Sequence, residues 1–185
     1  MSVSPRFLLA LSLAVAACGD APADGSADGA QTPAAATGLT LTSEGAGRLG
    51  AETPLDSAAV RAALPSGLDI ERHDGPDGAP AFWALRDGQI VFEISGGNTV
   101  TRIDAPSESV SGPGGARPGQ TFADAGASDL DCVAGTDDLR DRAVCRVDGV
   151  DLVFASGALV GQAALPPDEA LADAVLERLV WRADG

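Results

Sequence analysis

One histidine, three cysteines and several closely spaced aspartates are the residues of this chain whose types could do chemistry. His73 precedes Asp74-Gly-Pro-Asp77-Gly, so a Ser-His-Asp triad would have to be built on it. No Gly-x-Ser-x-Gly elbow accompanies it, and the turn residues around it predict an exposed histidine at a hairpin tip. Asp74 and Asp77, and the group Asp129, Asp131, Asp137 and Asp138, lack the D-x-D-x-D-G-x5-E order of a calcium loop and read as solvated loop acids. A metal site at Cys132 and Cys145 lacks further ligands, because His73 is the sole histidine. Lysine and tyrosine are absent, which excludes Schiff-base chemistry and the lysine of a P-loop. The expectation is a protein with no catalytic residue, no cofactor and no metal.

A second candidate is the stretch from Ser43 to Pro54, where Gly45, Gly47 and Gly50 stand at G-x-G-x-x-G spacing after the alternating Leu39 and Leu41. Asp69 and Glu71 follow about 20 residues on, where a dinucleotide fold carries its ribose-binding acid. In such a fold the helix begins inside the motif, so that its free N–H groups meet the pyrophosphate. Here the start signals Thr53-Pro54-Leu55-Asp56 place the helix beyond Gly50, and parallel βαβ units are missing. The glycines therefore read as a tight bend between the first strand and the first helix, and no nucleotide is expected.

The N-terminus carries chemistry of another kind. Arg6 and the amino group supply positive charge, Phe7 to Val15 is an apolar run, and Ala16 and Ala17 are small residues before Cys18. About nine residues rising 1.5 Å each cover ~14 Å, half of a bilayer core of about 30 Å, so the run is too short to span. Val15-Ala-Ala-Cys18 resembles the lipobox of bacterial lipoproteins, in which the cysteine thiol takes a diacylglyceryl group and the preceding peptide is cleaved. The resemblance implies a signal peptide over 1–17, lipidation of Cys18 and membrane attachment through that lipid. Two acyl chains at about 0.8 kcal/mol per buried CH₂ anchor a chain without a second membrane segment. Gly19 rather than Asp follows Cys18, which by analogy with lipoprotein sorting implies the outer membrane, with the domain facing the periplasm. With Cys18 committed to lipid, Cys132 and Cys145 remain as a pair in an oxidising compartment, and a disulfide between them is expected.

These positions need elements to hold them. A chain of 185 residues with 45% hydrophobic content makes one ordinary domain plus tails. Gly19 to Gly38 has no large apolar residue, so 18–38 reads as a lipidated flexible linker and 39–185 as the folded domain. The 27 acidic and 12 basic residues, all the latter arginine, give −15. Arginines scattered among acids offer no cationic patch to nucleic acid, and the acidity reads as a solvated surface. Leu39–Thr42 alternates like a strand, and a helix runs from the Thr53 cap to Pro65-Ser-Gly67. Strand-like runs follow at Leu68–Glu71, Ala81–Leu85, Gln89–Ile94 and Thr99–Ile103.

The second half parallels the first. Gly119–Asp124 matches Ala51–Asp56, Asp151–Gly157 matches Ile90–Gly96, and Val175–Trp181 matches Thr99–Ile103. The fold expected is α+β: two degenerate βα-hairpin units, 39–105 and 119–185, with antiparallel sheet, short helices and one disulfide, joined by a linker from Pro106 to Pro118. Trp83 and Trp181 are expected in the core; if they, or Phe92 and Phe154, lie open on a sheet, they mark a peptide or lipid groove.

Together, Gly45-Ala-Gly47 with Thr53-Pro54, Gly119-Gln-Thr-Phe122, Cys132 with Gly135, Val144-Cys145, Leu165-Pro-Pro167 and Leu179-Val-Trp-Arg182 carry a family resemblance. The chain resembles small Gram-negative envelope lipoproteins described as regulated by the extracytoplasmic stress factor sigma-E, whose conserved domain has no assigned function. The likeness spans Leu39 to Arg182. The chain departs from it in having no tyrosine and in reading Val160-Gly-Gln where a Gly-Pro-Asp-Gly turn precedes Leu165. The resemblance adds support to the lipid on Cys18 and to the Cys132–Cys145 pair, and it carries over no catalytic residue. The function expected is a noncatalytic, lipid-anchored envelope lipoprotein that binds an envelope protein partner or supports envelope integrity or the stress response. The alternative is a periplasmic hydrolase using His73 or the acids, which requires them to converge in a cleft.

Overall fold

The computed structural model of the protein describes residues 38–75 and 78–183. The expected signal peptide, Cys18, the linker up to residue 37, and Asp77 lie outside the described residues. Among the described residues no helix is long and apolar enough to cross a membrane.

In chain order the elements are β1 (Leu39–Thr40), α1 (Ser57–Ala63), β2 (Asp69–Asp74), β3 (Pro80–Arg86), β4 (Gln89–Gly96) and β5 (Val100–Ala105). They continue with β6 (Val110–Ser111), β7 (Cys132–Ala134), β8 (Arg142–Val147), β9 (Val150–Ala155), α2 (Asp168–Leu171) and β10 (Val175–Arg182). Eight strands form one antiparallel sheet in the order β2-β3-β4-β5-β10-β9-β8-β7, and β1 pairs with β6 in a separate parallel ribbon. Two four-stranded meanders thus meet through their last strands, β5 and β10. Asp87-Gly88 closes the β3–β4 hairpin and Asp148-Gly149 the β8–β9 hairpin. All four residues have positive φ, as a two-residue type I′ turn demands.

The meander, rather than the expected βα-hairpin, is the unit of this sheet. The stretch after Asp124, where a second copy of α1 would fall, holds a 3-10 turn at Ala127–Asp129 behind Gly126, whose left-handed φ of 65° interrupts a helix. The expected linker between Pro106 and Pro118 contributes β6 and buries Val110 in the core. The start of α1 also moves: its cap is Asp56, whose Oδ1 accepts from the N–H groups of Ala58 and Ala59. Thr53 cannot serve, because its carbonyl accepts from Val100 and Leu55 donates to Asn98, holding that backbone extended beside β5.

The main core lies on one face of the sheet, under a layer that includes Leu41, Leu49, Val60, Val110, Phe122, Leu159 and Leu171, and a smaller cluster of Leu139, Val153 and Val180 is buried on the other face. One inward row runs across five strands as Cys132–Cys145–Leu152–Leu179–Ala105. Cys132 and Cys145 are bonded, and because they are direct cross-strand partners the bond ties the edge strand β7 to β8. Phe92 and Phe154 are fully buried, so they line no open groove, and Phe154 meets Phe122 edge to face at 5.1 Å. Trp181 is buried as expected, its indole N–H donating to the Ser43 carbonyl at 2.7 Å.

Candidate functional site

Directly opposed residues share a face of a sheet, and the outward row of this one is Arg146–Asp151–Val180–Asp104–Glu93–Trp83–Glu71. Trp83 therefore stands half-buried on the outer face, not in the core, because its strand turns Phe82 and Ala84 inward. Asp104 and Asp151 are the two buried polar residues among those described, so the acidity is not wholly a solvated surface. Burial of a carboxylate requires a partner, and arginines supply it. Arg102 grips Asp104 with Nε at 2.6 Å and Nη2 at 2.8 Å, while Arg182 donates Nη1 to Asp151 at 2.6 Å. Arg178 and Arg146 complete each pair at 3.8 and 3.9 Å.

The third donor of Arg102, Nη1, goes to Asp138, carried on the β7–β8 loop. Burial disfavours the Arg102 charge, yet the hydrogen bonds and charges of Asp104 and Asp138 outweigh it and raise the guanidinium pKa. Partial desolvation pushes the Asp138 carboxyl up, but the hydrogen bond and charge of Arg102, with the charge of Arg182, hold it below the usual carboxylate range.

Two cavities flank this contact, and Arg102 and Asp138 line both. The first, of about 360 Å³, adds Arg182, Thr136, Asp137 and the apolar Val133, Val144 and Leu139. The second, of about 230 Å³, adds His73, Glu93, Ser95, Asp104 and Arg178. His73 is thus no exposed tip residue: it lies in β2, half-buried, with its ring stacked on Trp83 at 4.2 Å. Its Nδ1 sits 3.3 Å from the Asp74 carbonyl, which can only accept, so in the neutral ring Nε2 carries the lone pair. Among the described residues only that Nε2 and Nε of Arg178 are buried side-chain atoms without a hydrogen-bond partner, and both residues line the second cavity.

The other sequence candidates are dispersed. Asp129, Asp131 and Asp137 are exposed, and no group of three or more His, Cys, Asp and Glu gathers as a metal set among the described residues. The glycine hairpin borders a larger cleft of about 790 Å³ with Ser43, Arg48, Thr53 and Trp181. Its groups are committed elsewhere: Asp56 takes the N–H groups at the start of α1, and Arg48 donates to the Ala62 carbonyl at its end. The glycines instead serve a tight bend, since a Cβ on Gly45, at φ 115°, would lie 1.9 Å from the Leu49 carbonyl oxygen. Convergence of charge, and not cleft size, places the candidate site on the outer face.

A family model described as "Protein of unknown function (DUF1131)" matches residues 32–183. The chain belongs to the DUF1131 family. The crystal structure of the uncharacterized protein YfeY from Escherichia coli is similar at a TM-score of 0.60 and 22% identity, over 78% of this chain and 99% of that one. At that identity the likeness establishes the fold alone. A search of curated proteins finds no match.

In this DUF1131 chain, sequence reasoning named His73 and Asp138 but missed Arg102, Asp104, Asp151, Arg178 and Arg182. Arg102-Ile-Asp104 and Arg178-Leu-Val-Trp-Arg182 do carry a signal, charges at even spacing around apolar residues, which places them on one face of a strand. What the arrangement can do is hold fixed guanidinium groups beside two cavities.

Proposed function

We propose that this chain is a noncatalytic, lipid-anchored envelope lipoprotein whose outer sheet face meets a partner at the outer membrane. The observation that carries the noncatalytic reading is the state of the groups in the second cavity. Nε2 of His73, the atom a general base would use, is shielded from solvent, and Asp138 is held ionised by Arg102. A general acid needs its pKa near the working pH. The anchor rests on Arg6, the apolar run Phe7–Val15 and Val15-Ala-Ala-Cys18, with 1–17 removed and 18–38 as the tether. A tether restricts the search volume and raises effective concentration for a partner without chemistry. Residues 39–105 and 119–185 as degenerate copies of one unit belong to the same reading, supported by similar extended contacts one residue out of the matched register, Pro54 opposite Thr99 and Thr121 opposite Val175.

Wild type expressed in a Gram-negative host should take up a fatty-acid probe and fractionate with the outer membrane, and Cys18→Ser should do neither; equal labelling removes the anchor. The hydrolase alternative is favoured by one observation, the convergence of His73 with Glu93, Asp104 and Asp138 on one cavity. A deletion strain under envelope stress separates the two readings. Complementation by His73→Ala and failure of Cys18→Ser supports the tethered module, whereas ester or amide hydrolysis by the purified wild type that a folded His73→Ala loses supports the hydrolase.

A further inference from the structure

Arg102 and Arg182 are cross-strand partners, a like-charge juxtaposition that is unfavourable unless countered. Three carboxylates counter it, and they are not equivalent. The side chains of Asp104 and Asp151 are 8% and 7% exposed, built into the sheet, while that of Asp138 is 53% exposed. An ion pair at such exposure contributes about 0–1 kcal/mol. Leu139 is buried against Val153 and Val180, which fixes the loop, so the Asp138 side chain can swing out without the backbone following.

What the swing frees, in the first cavity, is Nη1 of Arg102, next to the guanidinium of Arg182, which spends Nη1 on Asp151, and beside a wall of Val133, Val144 and Leu139. Val133 is one of three large hydrophobic residues left exposed among those described, and the one of the three in this cavity. We propose that the cavity binds a carboxylate carried on a short aliphatic group, held by Arg102 and Arg182 against that wall. Asp138 is the internal carboxylate that occupies the position until the ligand displaces it. A planar monoanion replaces Asp138 like for like and can meet a guanidinium edge with two parallel hydrogen bonds. A dianion such as phosphate would meet Asp137, which also lines the cavity, and the carboxylates of Asp104 and Asp151 behind it. The inference names the ligand of the face in the binding function proposed above and rests on that reading, but not on the lipid anchor.

The test uses the full-length chain in detergent micelles and titration calorimetry. The probes are N-acetylvaline, its uncharged amide N-acetylvalinamide, inorganic phosphate and a Gly-Ser-Gly-Ala-Val pentapeptide. Asp138→Ala and the milder Asp138→Asn should each bind N-acetylvaline about tenfold or more tightly than wild type, a gain of at least about 1.4 kcal/mol. Neither should gain for the amide, and adding Arg182→Gln to Asp138→Ala should remove the gain. A pentapeptide tighter than N-acetylvaline assigns the site to a chain terminus, and equal binding assigns it to a free small acid; both support the proposal. Absence of a gain in both folded variants, an equal gain for the amide, or phosphate binding as tightly as N-acetylvaline overturns it. Those failures leave the Cys18 and complementation results untouched.

Discussion

Asp104 and Asp151 are both cross-strand partners of Val180, one on each side of β10. Each buried carboxylate is held by two arginines, Arg102 and Arg178 for the first and Arg182 and Arg146 for the second. Removing one member of a buried ion pair leaves the other charge uncompensated, at a cost of about 3–5 kcal/mol where burial is complete. The arginines here are partly exposed, so Asp104→Ala and Asp151→Ala should each lose about 2–3 kcal/mol, toward and just below the lower end of that range. Asp138→Ala, at an exposed pair, should stay within about 1 kcal/mol of wild type. Urea unfolding of the three variants checks the ranking, and a loss in Asp138→Ala as large as the other two contradicts it.

Acid should act on Asp138 with a definite sign. Its folded pKa lies below the ordinary 3.8, so its contribution is present above that value and is lost as pH falls through the folded pKa. The stability difference between wild type and Asp138→Asn should therefore be constant from neutral pH down to about 4 and shrink below it. Its size is small because the pair is exposed. Unfolding midpoints measured across pH 2 to 7 at about one-unit steps test this; a difference that grows on acidification goes against it.

The Cys132–Cys145 bond closes a short loop of 13 residues' separation and pins the edge strand. On the chain-entropy model a loop of this size contributes about 3 kcal/mol. The double variant Cys132→Ala with Cys145→Ala should lose roughly that amount. Amide exchange should rise first at Val133 and Ala134, in β7, the last strand of the sheet among the described residues. Uniform acceleration across all eight strands would mean that β7 does not open separately.

His73 stacks on Trp83, whereas Trp181 is buried and hydrogen-bonded to Ser43. An aromatic pair of this kind contributes about 0.5–1.5 kcal/mol. His73→Ala should cost that much and red-shift only the Trp83 part of the emission, because water replaces the imidazole on its ring. The same substitution in a Trp83→Phe background should leave the emission of Trp181 unmoved. A shift that persists there would place the effect in the core.

Several features of this fold were legible in the chain because backbone sterics and loop closure act over a few residues. Asp87-Gly88 turns a hairpin and Gly45 relieves a close backbone approach, while the Cys132–Cys145 pair was legible by count, as the two cysteines left beside Cys18. The strand runs around Phe82, Phe92 and Phe154 were equally plain from their apolar content. Alternation, however, states only that Phe82 and Trp83 face opposite ways, and not which face will be covered. That was decided by β1, β6 and α1 closing over the side of Ile103 and Leu179, which left Trp83 outside. The same closure, with the pairing of β5 to β10 from the two halves of the chain, brought Arg102, Asp104, Arg178 and Arg182 together. Each of these charges reads as solvated on its own, because the partner that makes its burial tolerable lies on another strand, and only the tertiary pairing supplies it.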